Sequence, residues 1–455
     1  MSRKISVGAA LALALLMVAA SIPLTMLYAQ NMQNRIIPDL PGRMEKFRAL
    51  EEIRQVVQNE FYRGADEDAI TAEMVRGYIA GLGDEHSRYL SAEEYSAYRL
   101  RIAGQQPELG LELSYDTNPG GISEEDRIEG QRYDGLVINY IKRDSPAERV
   151  GLRRGDQVIK IETETAVVYD DEDLTADNAL EHIIRIANIG LGIEEAAFDA
   201  VESALSVTIS YNRDGEARPP VRVHIGHSVP TISTELMASA APVAEGEEPL
   251  KNVGYIKIFA FYANTAAQLN RAIVDLWNVG ARYFIIDLRG TSEGTIEFAF
   301  DAINELVSVT TGGEAMATIH YRGSRQPEVF TSDRENLFSY FTDGMAILIN
   351  QFTAGPAELF AYCVAASYPN SVVLVGRSTM GVNTVQRDFP LAQVGGAALV
   401  SVGTVVPVGG DPEWNRNGVQ PTPQGPRPHG GILEYNERNE NSQLRGAINY
   451  LTLGE

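Results

Sequence analysis

The chain has 455 residues, 44% of them hydrophobic, a single cysteine and a formal net charge of -23. Its length implies about three folded units rather than one. The acidity excludes a nucleic-acid binder, whose phosphate contacts need clustered Lys and Arg, and argues against adsorption to anionic lipid. It reads as the solubilising surface of an exported protein. One cysteine rules out an intramolecular disulfide, and Cys363 reads as a small buried hydrophobe.

At the N-terminus, Arg3 and Lys4 precede an uncharged run from Ile5 to Ala29. That run is long enough to span a bilayer core of about 30 Å. Residues 1–30 are expected to be a membrane anchor with its basic end in the cytoplasm and the C-terminal bulk outside. Cleavage after Val18-Ala19-Ala20 or Leu27-Tyr28-Ala29 would instead release an exported protein. Residues 31–104 read as a small helical module. Phe47, Leu50, Ile53, Val56, Val57 and Phe61 form a helical stripe, Ala69 to Ala80 a second helix, and Ser91 with Glu93 and Glu94 opens a third. His86, in the turn before that third helix, is expected at an ordinary surface position.

From residue 105 to 230 the hydrophobic period changes to two. Leu136 to Ile141 is a strand, Ser145 to Leu152 a short capped helix, Arg153 to Asp156 a turn and Gln157 to Ile161 a strand. Leu205 to Tyr211 and Pro220 to Ile225 are expected to pair across Asp214-Gly215, a strong hairpin signal. The run Ser145 to Ile159, SPAERVGLRRGDQVI, resembles the core signature of a PDZ domain. The resemblance implies binding of peptide C-termini by strand addition, with the carboxylate held in a backbone nest. Leu109, Gly110, Leu111 and Glu112 match the place of that nest. Two stretches exceed the usual domain, Asp116 to Arg132 and the acidic Glu162 to Glu202, which carries a helical segment from Ala179 to Ile189.

Residues 231–455 alternate strand and helix, which implies an α/β core with a largely parallel sheet. Strands are expected at Val253 to Phe259, Tyr283 to Leu288, Met345 to Ile349 and Ser371 to Val375, with helices at Thr265 to Asn278 and Ile296 to Leu306. Between Met345 and Phe360 a buried strand runs through a tight turn into a helix, an elbow that could present a nucleophile at a helix N-terminus. Its apex reads Ala354-Gly355-Pro356, with no side chain able to attack. No metal-ligand spacing is present, and His224 and His227 have no further ligands near them. No cofactor is expected.

Five patterns in order carry a wider resemblance: Gly254-Tyr255-Ile256-Lys257-Ile258 with Phe261; Ile286-Asp287-Leu288-Arg289-Gly290; Val375-Gly376 with Thr384-Val385-Gln386; Gly418-Val419-Gln420-Pro421; and a closing amphipathic segment from Asn441 to Leu451. Together with the preceding units they resemble the C-terminal processing (tail-specific) serine peptidases. That resemblance implies a multidomain α+β and α/β chain: membrane anchor, helical module, PDZ domain and crotonase-like spiral core. It also implies a Ser nucleophile and a Lys base held neutral by desolvation. Aligned on Glu358, the Ser position is Gly355; aligned on Gln386, the Lys position is Val382, and Gln386 itself is retained. The turn after Gly290 reads Thr291-Ser292-Glu293-Gly294 instead of the family's Asn-Pro-Gly-Gly, and Thr422 stands for a late Asp. No lysine follows Lys257, and Arg cannot substitute, because it stays protonated.

The resemblance therefore points to a catalytically degenerate member that binds peptide or protein C-termini without cutting them. It would sit in the membrane through its N-terminal helix, as a homo-oligomer or beside an active paralogue. One alternative is an active enzyme with relocated chemistry, using Thr353, Ser378 or Thr379 with a base from Asp287, Glu293, Glu358 or His320. For each of those four bases the plainer expectation is a capping or solvated residue. The other alternative is an envelope scaffold that has lost peptide binding.

Overall fold

The computed structural model describes residues 40–105, 108–117, 134–163, 166–175, 178–187, 206–225, 231–240, 250–307, 315–323, 325–332, 343–409, 417–422 and 437–454. The anchor expected over 1–30 lies outside them, as do His227, most of the first insertion and residues 188–202 of the second. Among the described residues no helix is long and apolar enough to cross a membrane. The chain divides into two compact units, Met1–Met74 and Val75–Glu455.

The first unit holds helix α1 (Leu40–Glu60) and the opening of α2 (Glu67–Ala80). Asp66 caps α2, its Oδ1 accepting from the N–H groups of Asp68 and Ala69. Phe47, Leu50, Ile53 and Val56 of the expected stripe lie on α1 and Phe61 just past its end, and all five are exposed.

In the second unit, strand β1 (Arg88–Leu90) leads into α3 (Ala92–Ile102). Ser91 and Glu94 form a reciprocal capping box at the start of α3. Then follow β2 (Leu111–Asp116), β3 (Gly135–Ile141), α4 (Pro146–Arg149), β4 (Gln157–Glu162), β5 (Val167–Asp170), α5 (Ala179–Ala187), β6 (Ser206–Arg213) and β7 (Glu216–His224). Among the described residues these strands make one antiparallel sheet in the order β2-β3-β4-β6-β7, with β5 on β4. Period-two patterning places Leu136, Ile138, Val158, Ile161, Val207 and Ile209 in its buried face. The Asp214-Gly215 hairpin forms as expected: both residues have positive φ, 54° and 76°, the geometry that suits the twist of the flanking strands. Asp156 is buried and bound through both oxygens by Arg213 at 2.7 Å, fastening the β3–β4 turn to β6.

The remainder runs β8 (Ile232–Ala238), β9 (Lys251–Ile258), β10 (Ala260–Phe261), α6 (Thr265–Asn278), β11 (Tyr283–Asp287), β12 (Glu293–Gly294), α7 (Ile296–Leu306), β13 (Ala315–Tyr321), β14 (Glu328–Thr331), β15 (Met345–Ile349), α8 (Pro356–Ser367), β16 (Val372–Gly376), β17 (Thr384–Pro390), β18 (Ala397–Pro407) and α9 (Glu437–Leu453). The central sheet has the order β16-β15-β11-β9-β8, parallel except for β8. Its strands read as continuous apolar runs because both faces are covered. Ile256, Phe284, Ile286, Ile347 and Ile349 face α6, α7 and α8. Tyr255, Ile285, Ala346, Leu348 and Val375 face Leu444, Ala447 and Ile448 of α9. A second, antiparallel sheet joins β1, β18, β13 and β14 with β17 on β18. It brings the segment just before α3 to the strands that follow the elbow.

Candidate active site

β15 is buried along its whole length and delivers the chain to the elbow at 350–355. Two buried side chains and one backbone N–H shape that turn. Asn350 Oδ1 accepts from the N–H groups of Gly290 and Phe352, both at 3.0 Å. Thr353 Oγ1 donates to Leu288 O at 2.8 Å and accepts from Asn350 N. Ala354 N donates to Thr291 O at 3.0 Å. The elbow and the 288–291 turn are thus laced together. Gly355 sits at φ 55° and ψ −111°, a strained conformation that favours glycine. A Cβ at this position would meet no heavy atom within 4 Å. α8 then begins at Pro356, which has a preset φ and no N–H.

Glu358, on the first turn of α8, is fully buried. Its carboxylate accepts from Gly355 N at 2.8 Å, Gly381 N at 2.6 Å, Val382 N at 2.7 Å and the Thr379 hydroxyl. It therefore clamps the loop before β17 onto the elbow. Burial holds its carboxyl above the usual carboxylate range, against the downward pull of those donors. Thr379 extends the clamp, accepting from Val419 N at 2.7 Å, and a Cβ at Gly418 would lie 2.2 Å from Thr379 O.

Beneath the 288–291 turn is a buried ionic cluster. Asp287 binds Arg289 at 2.6 Å and accepts from the Tyr255 hydroxyl at 2.7 Å, with Lys257 Nζ 3.9 Å away. Burial raises the Asp287 carboxyl, but Arg289 and Lys257 outweigh it and hold the group well below the usual range. Lys257 Nζ also donates to Arg289 O and to Thr291 Oγ1. Asp287 and Glu358 are thus neither solvated nor simple caps. Tertiary packing buries both carboxylates among donors drawn from segments distant in sequence.

The elbow opens onto a cavity of about 400 Å³. Gly355, Val382 and Gln386, which the resemblance placed at the nucleophile, base and base-orienting positions, all line it. Gln386 Nε2 donates to the backbone carbonyl of His86. His86, expected at an ordinary surface, instead lines the cavity with Arg88, Tyr98 and Arg101. β1 pairs with β18 and so carries this segment to the site; nothing local in the sequence signals it. Glu293 also lines the cavity, accepting from the Tyr262 hydroxyl and lying 3.9 Å from Arg101. Gly294 has φ 122°, and a Cβ there would lie 2.2 Å from Phe261 O.

The residues considered for relocated chemistry are mostly elsewhere or already engaged. Thr353 is turned into the turn, Ser378 donates to Gln420 at 2.7 Å, Thr379 is held by Glu358 and His320 is exposed on β13. Glu293 alone of that set borders the cavity. Cys363 is buried in α8, and burial pushes its thiol up to about 12. Leu109, Gly110, Leu111 and Glu112 stand apart from the cavity at the start of β2. Gly110 has φ 79°, its carbonyl accepts from Lys142 N at 2.8 Å, and a Cβ there would lie 2.1 Å from Ser145 Cβ. Lys142 is 2.9 Å from Glu108 and 3.4 Å from Glu112. β2 is an edge strand with α5 lying against it. Among the described residues no group of His, Cys, Asp and Glu could hold a metal ion.

Residues 252–424 match the profile of peptidase family S41. The chain is 25% identical over 394 residues to the carboxy-terminal processing protease CtpA of Bacillus subtilis (strain 168), covering 86% of this chain and 71% of that protein. It is 24% identical over 366 residues to the chloroplastic C-terminal processing peptidase of Tetradesmus obliquus, covering 79% and 68%. Among solved structures, the photosystem II D1 C-terminal processing protease superposes with a TM-score of 0.42 at 20% identity, covering 88% of this chain and 90% of that one. The match to peptidase family S41 covers residues 252–424, and the proteins this chain is similar to include C-terminal processing proteases.

Proposed function

We propose that this chain is a pseudo-peptidase of the C-terminal processing type, which binds peptide or protein C-termini without hydrolysing them. The observation that carries the reading is the identity of the residues at the elbow cavity. Gly355 occupies the strained apex and offers no attacking atom, and Val382 offers no base. Lys257, the last lysine of the sequence, is engaged by Arg289 O and Thr291 Oγ1 under the turn. Pro356 adds a further loss. In an elbow of this type the residue after the nucleophile donates a backbone N–H to the oxyanion, and proline has none. Where nucleophile and base act as a unit, removal of either lowers the rate by about 10⁶.

The same reading assigns residues 31–104 to a helical module, 105–230 to a PDZ-like domain and 231–455 to the peptidase-like core, behind an anchor at 1–30. A peptide would add to the edge that β2 presents among the described residues, its carboxylate met at Leu109–Glu112, as that edge position and the glycine turn at Gly110 support. The protein would act outside the cytoplasm, as a homo-oligomer or with an active relative. The test is incubation of the purified protein with an unfolded substrate ending in apolar residues. No cleavage above background is expected, and Thr353→Ala changes nothing. Turnover that persists after contaminant removal overturns the reading in favour of relocated chemistry. Absence of carboxylate-dependent binding overturns it in favour of a scaffold.

A further inference from the structure

The cavity at Gly355 has a composition that strand addition at β2 does not explain. Its charged side chains are two guanidiniums, Arg88 and Arg101, and one carboxylate, Glu293, with His86 beside them. Counting His as neutral, the lining carries a net +1 in a chain whose net charge is -23. Glu293 is already partnered by the Tyr262 hydroxyl and by Arg101. Arg88 is exposed and makes no ion pair among the described residues. The N-terminus of α8 adds little positive potential of its own, because the Glu358 carboxylate occupies it. The attraction for an anion therefore comes from the arginines.

The lining also carries apolar side chains: Ile102, Ile296, Met380, Val382 and Leu399. Gly355 borders open space, since a Cβ there would meet nothing within 4 Å. An attacking side chain at 355 and a lysine at 382 would both take up this space; glycine and valine leave it free.

We infer that this cavity is a carboxylate-binding site that holds the last residue of a peptide, its α-carboxylate toward Arg88 and Arg101 and its apolar side chain against Met380 and Val382. The inference rests on the pseudo-peptidase reading, since an active site would have the attacking group in that volume. It adds a second C-terminus-reading site to the one proposed at β2. An Arg–carboxylate pair in a partly enclosed pocket is a charge-assisted and geometrically selective contact.

The test uses the whole chain and a fluorescent peptide ending in photo-leucine, made as the free acid and as the carboxamide. The acid is expected to bind more tightly than the amide. Arg88→Ala is expected to weaken the acid about tenfold and leave the amide unchanged, with Arg88→Lys restoring part of the difference. Arg88 is exposed, so its truncation leaves the β1–β18 pairing in place. Photo-adducts are expected at Ile296 and at 380–382. Adducts confined to β2 and α5, with Arg88→Ala binding like the native chain, overturn this inference while leaving peptide binding at β2 standing. Equal binding of acid and amide overturns it as well. Shortened peptides in the mass spectrum would overturn the inactive reading itself.

Discussion

Replacing Glu358 with Gln isolates the clamp on which the cavity depends. The carboxylate accepts four donors, two on each oxygen: the Thr379 hydroxyl and Gly381 N on Oε1, Gly355 N and Val382 N on Oε2. A carboxamide of the same shape keeps one acceptor oxygen. With its NH₂ in place of Oε1, the amide takes the partner from Gly381 N, while the Thr379 hydroxyl turns to accept one of the new N–H groups and the other finds none. Each buried unsatisfied donor costs about 1–3 kcal/mol, so the two cost about 2–6 kcal/mol. Global unfolding of a chain with several units is not a two-state measurement. The assay is therefore native-state hydrogen exchange at the amides of Gly355, Gly381 and Val382. If about 3 kcal/mol falls on local opening, these amides exchange roughly 100-fold faster, while amides in β3 and β6 stay unchanged. Exchange at the three amides within a factor of three or so of the native chain would refute the clamp, because about 0.6 kcal/mol is less than one lost hydrogen bond.

Gly294→Ala is expected to destabilise the 291–295 turn by more than about 2 kcal/mol, since its Cβ would lie 2.2 Å from Phe261 O at φ 122°; a stability change under about 0.5 kcal/mol by urea titration counts against that geometry. For Asp287 the folded carboxyl lies well below its reference value of 3.8. Its contribution to stability is complete above pH 3.8 and is lost as pH falls below that value toward the folded one. Asp287→Asn is therefore expected to flatten the acid limb of the stability profile between about pH 4 and pH 2. It also lowers stability at neutral pH by about 3–5 kcal/mol, because Arg289 and Lys257 are left buried without their counter-charge. An acid limb of unchanged slope would show that Asp287 titrates normally.

Much of the fold was legible because each local signal had one physical reading. Helices α6 and α7 and strand β15 begin and end where the periodicity places them, and Asp214-Gly215 forces the β6–β7 hairpin by its need for positive φ. The elbow was legible for the same reason: an apolar run, then Gly-Pro, then a helical segment. Its surroundings were not. Glu358 reads in sequence as an acid on a first helical turn, a place where carboxylates are usually half-solvated. It is dry because the loop at 379–382 folds over it. His86, Arg88 and Arg101 carry no signal of a site at all. They reach the cavity because β1 pairs with β18, a contact across more than three hundred positions of sequence that no periodicity encodes.

The sequence alone determined that position 355 carries no side chain and that the given residues hold no lysine after Lys257, because residue identity and order are read without a fold. Only the tertiary structure decided what surrounds that gap. Charge and burial are properties of neighbours in space, and two arginines from β1 and α3, apolar side chains and a caged carboxylate come together there only once the two sheets have formed.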